Sequence, residues 1–261
     1  MSAVTLTTAD GVRLAARWCG PATPAGEAVV VVHGFCGSKD RPEVELLALR
    51  LAAGGRPTLT FDLRGHGGSQ GTSTLGLLER LDVDAAVAAA RADADIVVVV
   101  GASMGGVATI DHLATVSEDG PSARSGADGG VVVATPARWQ VPRSARGVLA
   151  VALTQTRPGR AVTSRRMGTR VAVRPRRGAP PTERMAAVRQ PVAVIHGLAD
   201  RFVAPGAARE LFAAVDDPRL LALVPGMGHG FCAAALDPVD ASVAWVVGRV
   251  AATRAASRGG S

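Results

Sequence analysis

The sequence predicts an α/β protein: a mostly parallel, doubly wound sheet of about eight strands with one short basic cap insertion. Three observations lead there. Short Val-rich runs alternate with longer amphipathic stretches along most of the chain. Two runs, Ala28–His33 and Ile96–Gly101, are apolar without interruption, as strands buried on both faces are. The alternation fails once, over Pro136–Arg189, where prolines stand at 136, 142, 158, 175, 180 and 181.

Val4–Thr8 and Val12–Cys19 are expected to open the sheet as an antiparallel pair turning at Asp10-Gly11. The strand Ala28–His33 follows, then a helix over Pro42–Ala53 stopped by Gly54-Gly55. Thr58–Leu63 is the next strand and Leu75–Ala90 the next helix. Ile96–Gly101 runs into Ser103 and a helix to about Val116. Pro121–Gly130 is a Ser/Gly/Asp-rich loop, and Val131–Thr135 a strand. Within the proline-rich stretch only Val148–Thr154 has the pattern of a substantial helix. Regular order resumes with the strand Val192–His196, a helix near Ala207–Ala214, the strand Leu220–Val224 and a closing helix from about Pro238 to Thr253. The expected division is a core of residues 1–135 and 190–253, an Arg/Pro-rich cap over 136–189, and a disordered tail over 254–261.

Composition narrows the class further. With 261 residues, 48% of them hydrophobic and 20% charged, the chain has enough apolar side chains for a packed core. The net charge of +7 is unevenly spread: Pro136–Gln190 holds 13 arginines and one acid, Glu183, while the remainder has 16 basic and 21 acidic residues. Aromatic residues are 3%, and the basic segment contains only Trp139, so the stacking residues of a nucleic-acid module are missing and no nucleic-acid partner is expected. No apolar run reaches the roughly 18–20 residues of a membrane span, and no membrane partner is expected. The first residues lack the charged and apolar regions of a secretory leader, which makes a cytoplasmic protein the expectation. Cys19, Cys36 and Cys232 are odd in number and have no CxxC spacing, which argues against a disulfide framework and a structural zinc site.

The chemistry centres on Gly101-Ala102-Ser103-Met104-Gly105-Gly106, a G-x-S-x-G match lying between an apolar strand and a helix. A serine on such a sharp turn is exposed, and the small residues around it let neighbouring backbone pass. A hydroxyl needs a base to become a nucleophile. Of five histidines, only His229, in Pro225-Gly226-Met227-Gly228-His229-Gly230 after the last strand, combines a loop at the carboxyl edge with freedom to reach Ser103. His33, His66 and His196 fit turn histidines that brace loops, and His112 fits a helix face. Asp200, after the second-last strand, supplies an orienting carboxylate and the chain order Ser, Asp, His. Its competitors have other work: Asp62 anchors its own loop, Asp216 and Asp217 lie in a helix–strand connection, and Asp237 and Asp240 suit a helix cap.

Together His33-Gly34-Phe35, the Asp62–Gly67 turn, Gly101–Gly106, His196–Asp200 with Pro205, and Gly226–His229 resemble the α/β-hydrolase superfamily, with the motifs in order from about residue 12 to 250. The resemblance implies Ser103 as nucleophile, His229 as general base and then acid, and Asp200 as its orienter. It also implies an oxyanion hole from the backbone amides of Phe35 and Met104. A serine on the turn speaks against the epoxide hydrolases and haloalkane dehalogenases of this fold. The insertion lies where relatives carry a cap, yet its basic, proline-rich sequence departs from their usual helical, apolar lid.

The implied activity is a serine esterase acting on a small or medium acyl ester or lactone, with no cofactor and no metal. Phe35, Cys36, Trp139, Met227 and Phe231 are the expected substrate-binding walls. One alternative is a thioesterase or acyltransferase acting on an acyl group carried by coenzyme A or by an acidic acyl-carrier protein that the basic cap attracts. Another alternative is a non-catalytic ligand-binding protein of the same fold. Carbon–carbon bond hydrolysis and perhydrolysis use the same three residues.

Overall fold

A computed structural model describes residues 1–20, 25–120, 126–139, 149, 152–173, 178–216 and 218–259. Eight strands form one sheet: β1 (Ser2–Thr7), β2 (Arg13–Cys19), β3 (Ala25–Val32), β4 (Thr58–Phe61), β5 (Ala94–Ala102), β6 (Gly129–Val133), β7 (Val192–Gly197) and β8 (Arg219–Val224). Their order is β1-β2-β4-β3-β5-β6-β7-β8. The pairings β1–β2 and β2–β4 are antiparallel, and all others are parallel.

Helices whose full span lies among the described residues are α1 (Pro42–Ala53), α2 (Glu79–Arg91), α3 (Met104–Asp119), α4 (Arg157–Met167), α5 (Pro181–Ala187), α6 (Gly206–Ala214) and α7 (Leu236–Gly259). The continuous valine runs are explained by two cores. Alternate residues Val30, Val32, Val97 and Val99 pack with Val83 and Val87 of α2 and Leu113 of α3. Their neighbours Val29, Val31, Val98 and Val100 pack on the other face with Leu47 and Leu51 of α1 and Val243 of α7. A strand buried on both faces leaves no polar position, so period-two alternation vanishes.

Four expectations are corrected. The helix expected over Leu75–Ala90 begins only at Glu79. The Glu79 carboxylate, fully buried, accepts from Ser73 Oγ, Thr74 Oγ1 and the amides of Thr74 and Gly76, all at 2.7–2.8 Å. Leu75 and Gly76 take φ of +60° and +106°, which breaks any helix through them.

The cap contains helices where no periodicity showed. Thr156 caps α4 by accepting from the Gly159 amide at 3.0 Å, Pro158 sits in its first turn, and Gly168 ends it at φ +63°. Only Thr163 of α4 is buried, so the helix has no apolar stripe to read. Pro181 starts α5 rather than breaking it. Met185 of α5 is fully buried in the first core, and Arg184 pairs with Asp111 and Glu118 of α3, so this end of the expected cap belongs to the layer over the sheet. Of the expected helix Val148–Thr154, Leu149 and residues 152–154 are helical, and Val148, Ala150 and Val151 lie outside the described residues.

The expected loop Pro121–Gly130 ends earlier, since Gly129 and Gly130 already pair within β6; its residues 121–125 lie outside the described residues. At the other end of the chain, α7 runs to Gly259, so most of the expected disordered tail is helical. Residues 169–172 of the cap are stitched to the loop after β4: Arg170 N–H donates to Gly65 O, Ser73 N–H to Arg170 O and Ala172 N–H to Ser73 O, at 2.7–2.9 Å.

Candidate active site

The carboxyl ends of the parallel strands bring the three sequence-distant residues together. Ser103 stands between β5 and α3 with φ +53° and ψ −115°, a backbone conformation that a non-glycine residue adopts only under constraint. The constraint is close packing. A Cβ on Gly101 would run into Thr109 Oγ1 and Gly105 O, and one on Gly106 into Thr135 Oγ1. The Ser103 amide is tied to Val133 O at 2.9 Å.

His229 follows β8 in a loop where Gly226 and Gly230 both have positive φ. The Ser103 hydroxyl donates to His229 Nε2 at 3.0 Å, and His229 Nδ1–H donates to Asp200 Oδ2 at 2.8 Å. Asp200 follows β7 with its side chain fully buried. Burial pushes its pKa up, but the hydrogen bonds from His196, His229 and the amides of Val203 and Phe202 outweigh that and hold the carboxyl well below the usual range. Asp200 therefore remains an anion beside an imidazole that is itself partly open to solvent.

Two further residues adjoin this hydrogen-bonded relay: His196, which braces the 200–203 loop as its turn position suggests and also reaches Asp200, and Phe202, which the sequence reading missed. His196 places Nε2 3.3 Å from Asp200 Oδ2 and 3.0 Å from Val203 O, while its Nδ1 is buried with no partner among the described residues. The four-residue spacing of His196 and Asp200 was the available signal for the contact between them. The ring of Phe202, 66% exposed, is tilted 43° against the His229 ring with centroids 5.2 Å apart, placing an apolar surface beside that imidazole.

The expected wall residues divide. Phe35 is half-buried and meets His66 edge-on at 6.0 Å. Gly34 brings this loop against the serine, because a Cβ there would sit 3.2 Å from Ser103 Cβ. Among the described residues the amides of Phe35 and Met104 have no protein acceptor. Cys36 faces the cap, its sulfur 3.9 Å from Met167 Sδ, and burial raises the thiol pKa and keeps it protonated. Trp139 lies against Gly76 and donates from Nε1 to Gly178 O at 3.0 Å.

Met227 and Phe231 are corrections: both side chains pack in the core cluster with Val239 and Val243, Met227 with no exposed surface. Gly197 permits this, since a Cβ there would strike Met227 O and hold the loop away from β7. Among the described residues no helix is long and apolar enough to cross a membrane, and no cluster of three metal-ligating side chains occurs.

His33 and His66 brace loops, as their turn positions suggest. His33 is buried and its pKa is pushed down to about 3, by burial first and by the charge of His66 next. Since an unfolded histidine titrates near 6.5, the unfolded chain takes up this proton first as the pH falls. Unfolding free energy is thus expected to drop by roughly 1.4 kcal/mol per pH unit from this group alone between those two values. Urea denaturation of wild type and His33→Asn across that window measures it: the variant's curve should be flatter, and parallel curves would refute the assignment.

A serine at a strand–helix turn, hydrogen-bonded to a loop histidine that is oriented by a buried carboxylate, on a mostly parallel eight-stranded sheet, defines a class of α/β hydrolytic folds. The model of the alpha/beta hydrolase family matches residues 29–245, and the chain belongs to that family. Solved structures of similar fold include the esterase Pf2001 of Pyrococcus furiosus, at 22% identity and TM-score 0.72, covering 95% of this chain and 90% of that one. Another is the esterase RhEst1 of a Rhodococcus species, at 21% identity and TM-score 0.68 over 96% and 99% of the two chains. A third is Est1E of Butyrivibrio proteoclasticus with ferulic acid bound, at 18% identity and TM-score 0.65 over 95% and 100%. No curated protein matches the chain in sequence.

Proposed function

We propose that this protein is a serine hydrolase that cleaves a carboxylic ester through an acyl-enzyme. The hydrogen-bonded chain Ser103–His229–Asp200, with steps of 3.0 and 2.8 Å, carries the reading. Ser103 Oγ attacks the ester carbonyl carbon as His229 Nε2 takes the hydroxyl proton. The negative charge formed on the carbonyl oxygen is met by the amides of Phe35 and Met104. The intermediate collapses with loss of the alkoxide, which His229 protonates. Water, deprotonated by the same nitrogen, then releases the acid and restores Ser103. The apolar ring of Phe202 beside His229 favours an apolar alcohol portion in the leaving group.

Intact mass after treatment with a fluorophosphonate tests this directly. A single adduct is expected on the wild type and none on Ser103→Ala. A folded wild type that takes up no adduct, or a Ser103→Ala variant labelled equally, would overturn the reading and bring the non-catalytic binding protein forward.

A further inference from the structure

The Phe35 amide can meet an oxyanion only if its peptide plane is held in one orientation, and two buried histidines outside the reacting chain provide the hold. His33 Nδ1 lies 2.8 Å from Gly34 O, and its Nε2 accepts from the Leu63 amide at 3.1 Å. A ring nitrogen that accepts from a backbone amide carries no proton, so the His33 proton is on Nδ1 and is donated to Gly34 O. The same carbonyl accepts from the Gly37 amide at 3.0 Å. Gly34 C=O and Phe35 N–H belong to one planar trans peptide and point in opposite directions. Fixing the carbonyl with two donors therefore aims the Phe35 N–H the other way.

The next peptide is fixed from its nitrogen end. The Cys36 amide donates to His66 Nε2 at 3.3 Å, and His66 Nδ1–H donates to Arg64 O at 3.0 Å. Cys36 has φ +59°, a strained value for a residue with a side chain, and this bond helps hold it there. The arrangement is reciprocal. His33 stands at the start of the 33–37 loop and accepts from the 62–67 loop, whereas His66 does the reverse. Their rings meet edge-on with centroids 5.0 Å apart.

We propose that His33 and His66 are positioning residues for the oxyanion site, clamping the two peptides that flank Phe35 so that its N–H faces the carbonyl oxygen of the substrate. The inference rests on Ser103 being the nucleophile and the Phe35 amide an oxyanion donor.

Hydrolysis of 4-nitrophenyl butyrate by the full chain tests it, with fold checked by circular dichroism. His33→Ala is expected to lower kcat by ~10²-fold with KM little changed, because an oxyanion donor acts on the transition state. His33→Asn puts an N–H near the place of Nδ1 and is expected to recover ~10-fold of that loss. His66→Gln, whose Oε1 replaces Nε2 as acceptor, is expected to outperform His66→Leu. A boronic acid that forms a tetrahedral adduct on Ser103 should lose affinity in parallel with kcat, while the acid limb of the pH profile stays in place.

Imidazole nitrogen spectra of the wild type supply a readout that needs no variant to fold: a proton on Nε2 of either ring would overturn the proposal. So would a folded His33→Ala with unchanged kcat, an Asn variant no better than Ala, or a loss confined to KM. Turnover that disappears in Ser103→Ala yet survives His33→Ala refutes the histidine assignment alone. A wild type with no Ser103-dependent turnover refutes the functional reading and this inference with it.

Discussion

Replacing Asp200 by Asn is expected to lower kcat about 10⁴-fold while leaving the protein folded, because the change reverses one hydrogen bond rather than deleting a side chain. Asp200 Oδ1 accepts from the amides of Phe202 and Val203 at 2.7 and 3.0 Å. The Asn oxygen can keep both of those donors. Its NH2 group then replaces Oδ2, which now faces His229 Nδ1 at 2.8 Å and His196 Nε2 at 3.3 Å. An N–H facing an N–H is unfavourable, so His229 must present a bare Nδ1 and move its proton to Nε2. That proton then points at Ser103 Oγ, and the base is gone although every atom remains near its place. His196 retains Val203 O as acceptor, at 3.0 Å, which limits the damage to the fold. Steady-state kinetics on an aryl ester, paired with a thermal melt, checks this. A kcat close to wild type would mean that Asp200 does not set the tautomer of His229, and a collapsed melting transition would mean that it is chiefly structural.

How much of this site was legible in the sequence follows from how each residue is held. Ser103, Asp200 and His229 each follow a parallel strand, at the one edge of the sheet where loops converge, and strand runs are the strongest signal in this chain. All eight strands were readable for the same reason. Glu79 was not, because a buried carboxylate that collects four donors from the preceding loop carries no periodicity and looks like any polar residue opening a helix. The cap helix α4 was hidden because it buries only Thr163 and is marked by its caps alone. Met227 and Phe231 flank His229 in sequence, but the close approach at Gly197 turns this loop so that both side chains enter the core. Phe202 escaped notice because it is exposed, and an exposed aromatic residue gains meaning only from its neighbour His229.

Gly105→Ala is expected to destabilise the fold by about 3 kcal/mol or more, although alanine is the better helix former. Gly105 is the second residue of α3, and a Cβ there would lie 2.5 Å from both His33 O and Val32 O and 2.9 Å from Val32 C. These are backbone atoms at the end of a central strand, so no side-chain rotation relieves the clash. Either α3 moves away from β3 or the 33–37 loop shifts, and the latter displaces the Phe35 amide from Ser103. A chain that still folds should therefore also lose turnover. Gly248 gives the control with the opposite sign. It lies inside α7, a Cβ there meets nothing within 4 Å, and Gly248→Ala is expected to stabilise by up to roughly 1 kcal/mol through helix propensity alone. Denaturant titrations of the two variants compare the same chemical change in two settings. If both variants raise the midpoint, helix propensity governs both positions and the tight passage of β3 behind Ser103 is not the constraint that shapes this turn.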